Sequence, residues 1–229
     1  MKHYCEQRSK EWFGLRLGRV TSTRMKTVAH GTLAAQAKLL DQMQYEVDCP
    51  VAALAQQMEG FGYRTPAAIK LGREREDWML ARYELRRQKD FGRRIKLDRP
   101  GLMVHDSIDL FASSPDWCLD DRAGEGKIRV DQGKHEFVLK RGVLLPEDKD
   151  QVYCHMMTGG FTKADFASYC PDWPIEETRL AVIEVELDVP YANMLYVKLN
   201  IFLTHFRDGT RPVARKKQSG VPSFFDDEE

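Results

Sequence analysis

Up to about Lys89 the apolar positions of the chain fall at the three- and four-residue spacings of helices, and beyond Pro100 they contract into short alternating runs. Ser9 followed by Trp12, Phe13, Leu15 and Leu17 predicts a capped helix over 10–17 that stops at Gly18, with Trp12 as a core anchor. Thr21 or Ser22 is placed to cap a second helix, and others follow over 34–45 and, entered through Pro50, over 51–58. Thr65-Pro66 opens a long helix to about Lys89, with Ile69, Trp78, Met79, Ala81 and Leu85 on its apolar side and Glu76 inside it. The β-like runs are 102–104, 110–113, 117–119 and 127–130, punctuated by Pro115 and by Gly124-Glu125-Gly126. A helix over 147–157, a Gly159-Gly160 break, a strand near 166–169, an alternating strand over 179–187 and a helix from Pro190 to about Phe206 complete the pattern. This order predicts an α/β fold, a mixed central β-sheet flanked by helices.

The 229 residues suit one domain over 1–210, followed by a mobile tail over 211–229 that is rich in Arg, Lys, Gly and Pro before its acidic end. With 42% hydrophobic and 31% charged residues the chain reads as globular, and its apolar runs are too short to cross a bilayer. The polar, charged start lacks the form of a secretory signal, so the expected location is cytoplasmic, with no membrane partner. Five cysteines without a CxxC pair suggest neither a zinc knuckle nor a disulfide framework, and the six histidines, without an HExxH, read as ordinary imidazoles. The formal net charge of +0 hides a segregation of sign. Lys and Arg dominate from 1 to 30 and from 64 to 99, acids from 147 to 188. A basic face toward a polyanion is therefore compatible with overall neutrality.

Candidate chemistry gathers where helices give way to strands, at Ser114-Pro115-Asp116 and, nine positions after the aspartate, at Glu125-Gly126-Lys127. In an extended strand Glu125 and Lys127 point to one face. A hairpin through 120–124 would bring Asp116 beside them, so that two carboxylates and an ammonium share a small volume. Hard oxygen ligands of this kind bind Mg²⁺, and a neighbouring lysine can orient a water or help deprotonate it, a combination suited to phosphodiester hydrolysis. The pattern is the PD-(D/E)xK signature of nucleases, here PD…ExK. Taken alone, the same residues fit equally a turn aspartate followed by a surface Glu-Lys pair.

Four further blocks decide between them: the run from Gln7 through Trp12, Arg16 and Gly18 to Thr23, then Gly72-Arg73-Glu74-Arg75-Glu76, Val104-His105-Asp106, and Gln151-Val152. With the PD…ExK block, and in this order from about Gln7 to Met157, they resemble the phage lambda exonuclease and YqaJ-like viral recombinase family of PD-(D/E)xK nucleases. The resemblance implies a restriction-endonuclease-like core and a Mg²⁺-dependent 5′→3′ exonuclease. Such an enzyme degrades one strand of linear double-stranded DNA and leaves a 3′ single-stranded overhang for annealing in recombination. It implies metal ligation by Asp116, Glu125, the carbonyl of Gly126 and Asp106, with Asp109 a competing acid, and two Mg²⁺ ions for which Mn²⁺ can substitute. Lys127 would activate water. Glu76 would join the catalytic group, or else serve as a surface partner of Arg73 or Arg75, and Gln151 would sit near the scissile phosphate or remain a helix-surface amide.

Arg16, Thr23 and Ser114 match the positions that bind a 5′-phosphate; Thr23 stands where the family commonly has Ser and keeps the hydroxyl. The implied partners are 5′-phosphorylated DNA ends, further copies of the chain in a homotrimer ring, and a single-strand annealing protein. The segment 25–64 aligns too loosely to assign residues that split the terminal base pairs. Alternatives are an endonuclease or helicase-associated nuclease of the same superfamily, or a non-catalytic DNA-end-binding module; the last would be expected to lack one of Asp116, Glu125 and Lys127.

Overall fold

The computed structural model describes residues 1–63 and 67–213, apart from the side chains of 60–63 and 67–73. Its elements in chain order are β1 (Lys2–His3), α1 (Lys10–Arg16), β2 (Val20–Thr21), α2 (Ser22–His30), α3 (Leu33–Asp48), α4 (Pro50–Tyr63), α5 (Ala67–Phe91), β3 (Leu102–Val104), β4 (Phe111–Ser113), β5 (Trp117–Leu119), β6 (Arg122–Ile128), α6 (Gln132–Arg141), α7 (Pro146–Gly159), β7 (Lys163–Tyr169), β8 (Leu180–Glu186) and α8 (Val189–Arg207). Two four-stranded sheets form, in the orders β1-β3-β4-β2 and β5-β6-β7-β8. Each is mixed: β2 runs parallel to β4, and β6 parallel to β7 with Glu125 opposite Phe166. Their other pairings are antiparallel. The expected α/β architecture is present, with central mixed sheets flanked by helices. Among the described residues no helix is long and apolar enough to cross a membrane.

The two faces of the second sheet carry different cores. On one, Met79, Leu80 and Tyr83 of α5 pack against Trp117, Leu119, Ala167 and Tyr169. On the other, Val152, Tyr153 and Met156 of α7 join residues of α2, α3 and α8 over Ala123, Ala164, Phe166 and Ile183. The period-two alternation of β6 sorts its residues between these faces. Ala123 lies with the α7 side, while a Cβ on Gly124 would stand 2.0 Å from the Trp117 ring and one on Gly126 2.0 Å from Met79 Cε. Glycine at 124 and 126 thus lets the α5 layer press onto the strand, and Glu125 and Lys127 turn the other way.

Several sequence expectations shift. The apolar side of α5 is built on Met79, Leu80 and Tyr83, whereas Trp78 and Leu85 are exposed; the side chain of Ile69, and Thr65-Pro66, lie outside what is described. The Gly124-Glu125-Gly126 break is interior to β6, and the hairpin turn is the tighter Asp120-Asp121 pair between Leu119 and Arg122, with Asp120 at φ 53°. Helix α6 was not expected, although its signals are local: Asp131 caps it by accepting from Gly133 N at 2.9 Å, and Gly142 ends it at φ 64°. Of the tail, 211–213 form no regular structure and the remainder lies outside the described residues.

Candidate active site

Asp116 follows the end of β4 and is drawn onto β6 by two bonds. Its N–H donates to Gly124 O at 3.0 Å, and its Oδ2 accepts from Gly126 N at 2.8 Å. Oδ1 accepts no hydrogen bond among the described residues. Glu125 is buried at 3% exposure, and its two oxygens are divided: Oε1 accepts from Lys127 Nζ at 2.5 Å, Oε2 from His155 Nε2 at 2.8 Å. Lys127 also donates to Gln151 Oε1 at 3.0 Å. Gln151 and His155 stand four residues apart on α7, the spacing that puts two side chains on one helical face, so α7 grips the far side of the pair.

The charges are tightly coupled. Burial, and after it the carboxylates of Glu125 and Glu76, push Asp116 well above the usual carboxylate value, against Lys127 and the Gly126 N–H. Burial alone would raise Glu125, yet Lys127 and His155 hold it below its ordinary value. For Lys127 burial would favour the neutral amine, but Glu125 and Asp116 outweigh it and the pKa rises. Its partners hold it as an ammonium at neutral pH, a group that can orient a neighbour and offset negative charge.

A cleft of about 390 Å³ joins this group to a second one; its lining includes Arg16, Thr23, Glu76, Ser114, Asp116, Glu125, Gly126, Lys127 and Gln151. Arg16 donates from Nη1 to Ser114 Oγ at 3.1 Å and from Nη2 to Thr21 Oγ1 at 3.4 Å, and Thr21 Oγ1 meets Thr23 Oγ1 at 3.1 Å. Its guanidinium lies 4.1 Å from the centroid of the Trp12 ring, whose Nε1 donates to Ser114 Oγ at 3.0 Å. Trp12 is therefore the platform under Arg16, and the core anchor of α1 is its neighbour Phe13. Burial and nearby Arg24 push Arg16 down to about 10, still charged at neutral pH. Arg24 is matched by the buried Glu46, whereas no carboxylate among the described residues forms an ion pair with Arg16. Helix α2 starts beside this cluster with no side-chain cap and no acid in its first turn. Helix N-termini favour anions, and no side chain among the described residues caps this one.

Glu76 lies along the same cleft, held by Arg8 Nη2 at 3.1 Å and Arg99 Nη2 at 3.0 Å; Gly72 and Arg73 of its block lie outside the side chains described. Asp106 is not brought in. Its exposed carboxylate accepts from the N-terminal ammonium at 2.8 Å, and it does not line the cleft; nor does Asp109, whose carbonyl accepts from Arg19. The residues that sequence reasoning missed are Gln7, Arg8 and His155. Gln7 donates to Pro115 O at 3.0 Å, tying the N-terminal segment to the Pro-Asp turn, and Arg8 sits at φ 73°, a backbone state that only the fold reveals. His155 was legible in principle as the i+4 neighbour of Gln151.

The donor set suits a hard divalent cation: two carboxylates that repel each other, one with a free oxygen, beside a backbone carbonyl at Gly126. Among the described residues, however, no three His, Cys, Asp or Glu side chains form a ready metal cluster.

No family model matches the chain, and no curated protein matches it in sequence. Solved structures do. An alkaline exonuclease from Laribacter hongkongensis, LHK-Exo, is similar with a TM-score of 0.70 at 25% identity, over 88% of this chain and 94% of that one, and its complex with dAMP gives the same values. A phage-related exonuclease from Haemophilus somnus 129PT shares the fold, with a TM-score of 0.54 at 11% identity, covering 90% and 95% of the two chains. The chain is structurally homologous to PD-(D/E)xK-type nucleases through the alkaline exonuclease, and with the phage-related exonuclease it shares the fold, without a particular tie to the YqaJ-like recombinases.

Proposed function

We propose that this protein is a Mg²⁺-dependent nuclease that removes nucleotides from the 5′ end of linear double-stranded DNA and leaves a 3′ overhang. The observation that carries the reading is the union, in one cleft, of Asp116, Glu125 and Lys127 with the Arg16, Thr23 and Ser114 cluster. One end offers oxygen donors to a cation, the other an unpaired guanidinium, hydroxyls and a helix N-terminus to an anion. The similarity to LHK-Exo, which has been captured with dAMP, supports a nucleotide as what the cleft receives.

Asp116, Glu125 and the Gly126 carbonyl would hold Mg²⁺, or Mn²⁺ in its place; two ions are part of the reading, with Glu76 available at the cleft wall. When bound, the ion supplies charge to offset the scissile phosphate and acidity to the attacking water. Lys127, fixed between Glu125 and Gln151, orients that water and offsets developing negative charge. Arg16 forks onto the terminal 5′-phosphate, and Ser114 and Thr23 add neutral donors, so that a chain end is seated and an internal phosphate is not. Asp106 has no part in this site. A homotrimer ring around the duplex, a single-strand annealing partner for the product tail and a cytoplasmic location belong to the same reading.

The test is hydrolysis of linear duplex against covalently closed circles, each with Mg²⁺ or EDTA. The expected outcome is loss of the linear 5′-phosphorylated DNA alone, with Mg²⁺ alone. Cutting of the closed circle would make the protein an endonuclease, and binding without hydrolysis in every condition would make it an end-binding module.

A further inference from the structure

Behind the carboxylate that faces the cleft lies a histidine with no role so far. His155 is wholly buried on α7, at 0% exposure, and its Nε2 stands 2.8 Å from Glu125 Oε2. A carboxylate oxygen of an ion-paired glutamate is an acceptor, so the proton of this bond is on Nε2. The other ring nitrogen, Nδ1, is buried and has no hydrogen-bond partner among the described residues. All the polar work of the ring is thus directed at one oxygen of one residue.

That economy is informative. A buried polar nitrogen without a partner is a cost, and the bond to Glu125 Oε2 is all that the ring's polarity returns for it among the described residues. Packing alone therefore gives no reason for an imidazole at this position. We infer that His155 is a positioning residue for cation binding: by fixing Oε2 of Glu125 from the core side, it presents Oε1, the oxygen shared with Lys127, to the cleft. Without the bond, the Glu125 carboxylate is free to rotate and Lys127 can close onto both oxygens as a simple ion pair. Partners of this kind, which orient a ligand without touching the ion, typically alter metal affinity by about 10- to 100-fold when removed. The inference rests on the nuclease reading, since it takes Glu125 to be a ligand.

The experiment compares wild-type protein with His155→Phe, which keeps bulk and loses the donor, and His155→Gln, which keeps a donor. Mn²⁺ binding is measured directly by calorimetry without DNA, thermal midpoints are recorded without metal, and kcat and KM for linear duplex are determined in Mg²⁺. His155→Phe is expected to bind Mn²⁺ about 10- to 100-fold more weakly. It should still unfold cooperatively without metal, with its kcat reduced and its KM for DNA unchanged, and His155→Gln should recover most of the affinity. Wild-type Mn²⁺ affinity in His155→Phe overturns the inference. So does equal loss in both variants accompanied by a fallen midpoint or failure to fold, which would mark a structural role. Failure of the wild-type protein itself to bind Mn²⁺ or cut DNA would instead overturn the nuclease reading.

Discussion

Nη1 of Arg16 and Oγ of Ser114 meet at 3.1 Å across 98 positions of chain, and this contact joins the N-terminal helix to the segment between β4 and β5 that carries Asp116. Because no carboxylate among the described residues pairs with Arg16, its charge is available to a ligand. Arg16→Ala should therefore reduce the preference for 5′-phosphorylated over 5′-hydroxyl duplex by about 10- to 100-fold, the equivalent of a charge-assisted bond of about 1.5–3 kcal/mol. Rates on the two substrates check this, and an unchanged ratio would remove Arg16 from the phosphate pocket.

Asp116 should report its own electrostatic strain. Burial and the neighbouring carboxylates raise its folded pKa, so the folded state holds its proton longer than the unfolded chain does. Stability is then lost as pH rises through the raised value and regained as pH falls back toward the unfolded one. Without divalent ions at pH 8, Asp116→Asn should melt a few degrees above wild type, given about 2–4 °C per kcal/mol in a chain of this size. The gap should close on acidification, and Mg²⁺ should raise the midpoint of the wild type only. A pH-independent gap would show that charge is not its origin.

The glycine before Glu125 is expected to be intolerant. A Cβ at 124 would fall 2.0 Å from Trp117 Cε2, in a ring that is itself fully buried. Gly124→Ala should cost about 1–3 kcal/mol by overpacking and shift the denaturant midpoint downward. An unchanged midpoint would mean that the α5 layer yields more easily than the contact suggests.

On the same face of the sheet, Asp165 is fully buried and accepts from Tyr83 Oη at 2.5 Å, Arg87 Nε at 3.1 Å and Arg122 Nη1 at 3.1 Å. Removing it leaves Arg87 and Arg122 only the less buried Asp90, Asp121 and Glu184 as acidic partners among the described residues. Asp165→Ala should cost about 3–5 kcal/mol of unfolding free energy, the usual penalty for breaking a buried charge network from one side. A loss below about 1 kcal/mol would show the arginines reaching water.

What the sequence disclosed and what it hid divide along a physical line. Caps, prolines and alternation are local signals, and they located α1, α7, β8 and α8 to within a few residues and the start of α4 to within one. Asp116, Glu125 and Lys127 were legible because a period-two strand and a hairpin suffice to bring them together. The face of α5 was not: Trp78 is as apolar as Met79, and which of them is buried depends on where Trp117 sits across the sheet. Asp106 failed for the same reason, since spacing from Asp116 says nothing about which way the chain turns between β3 and β4. His155 looked ordinary because the partner of its ring among the described residues lies 30 positions earlier on another element.

The central claim, that this cleft cuts from a 5′ end, is tested most directly on a 5′-phosphorylated linear duplex labelled at either the 5′ or the 3′ terminal nucleotide of one strand. The account predicts that in Mg²⁺ the 5′ label leaves first as a mononucleotide, and that Lys127→Ala retains DNA binding while releasing neither label. Earlier release of the 3′ label, or equal release by Lys127→Ala, would contradict it.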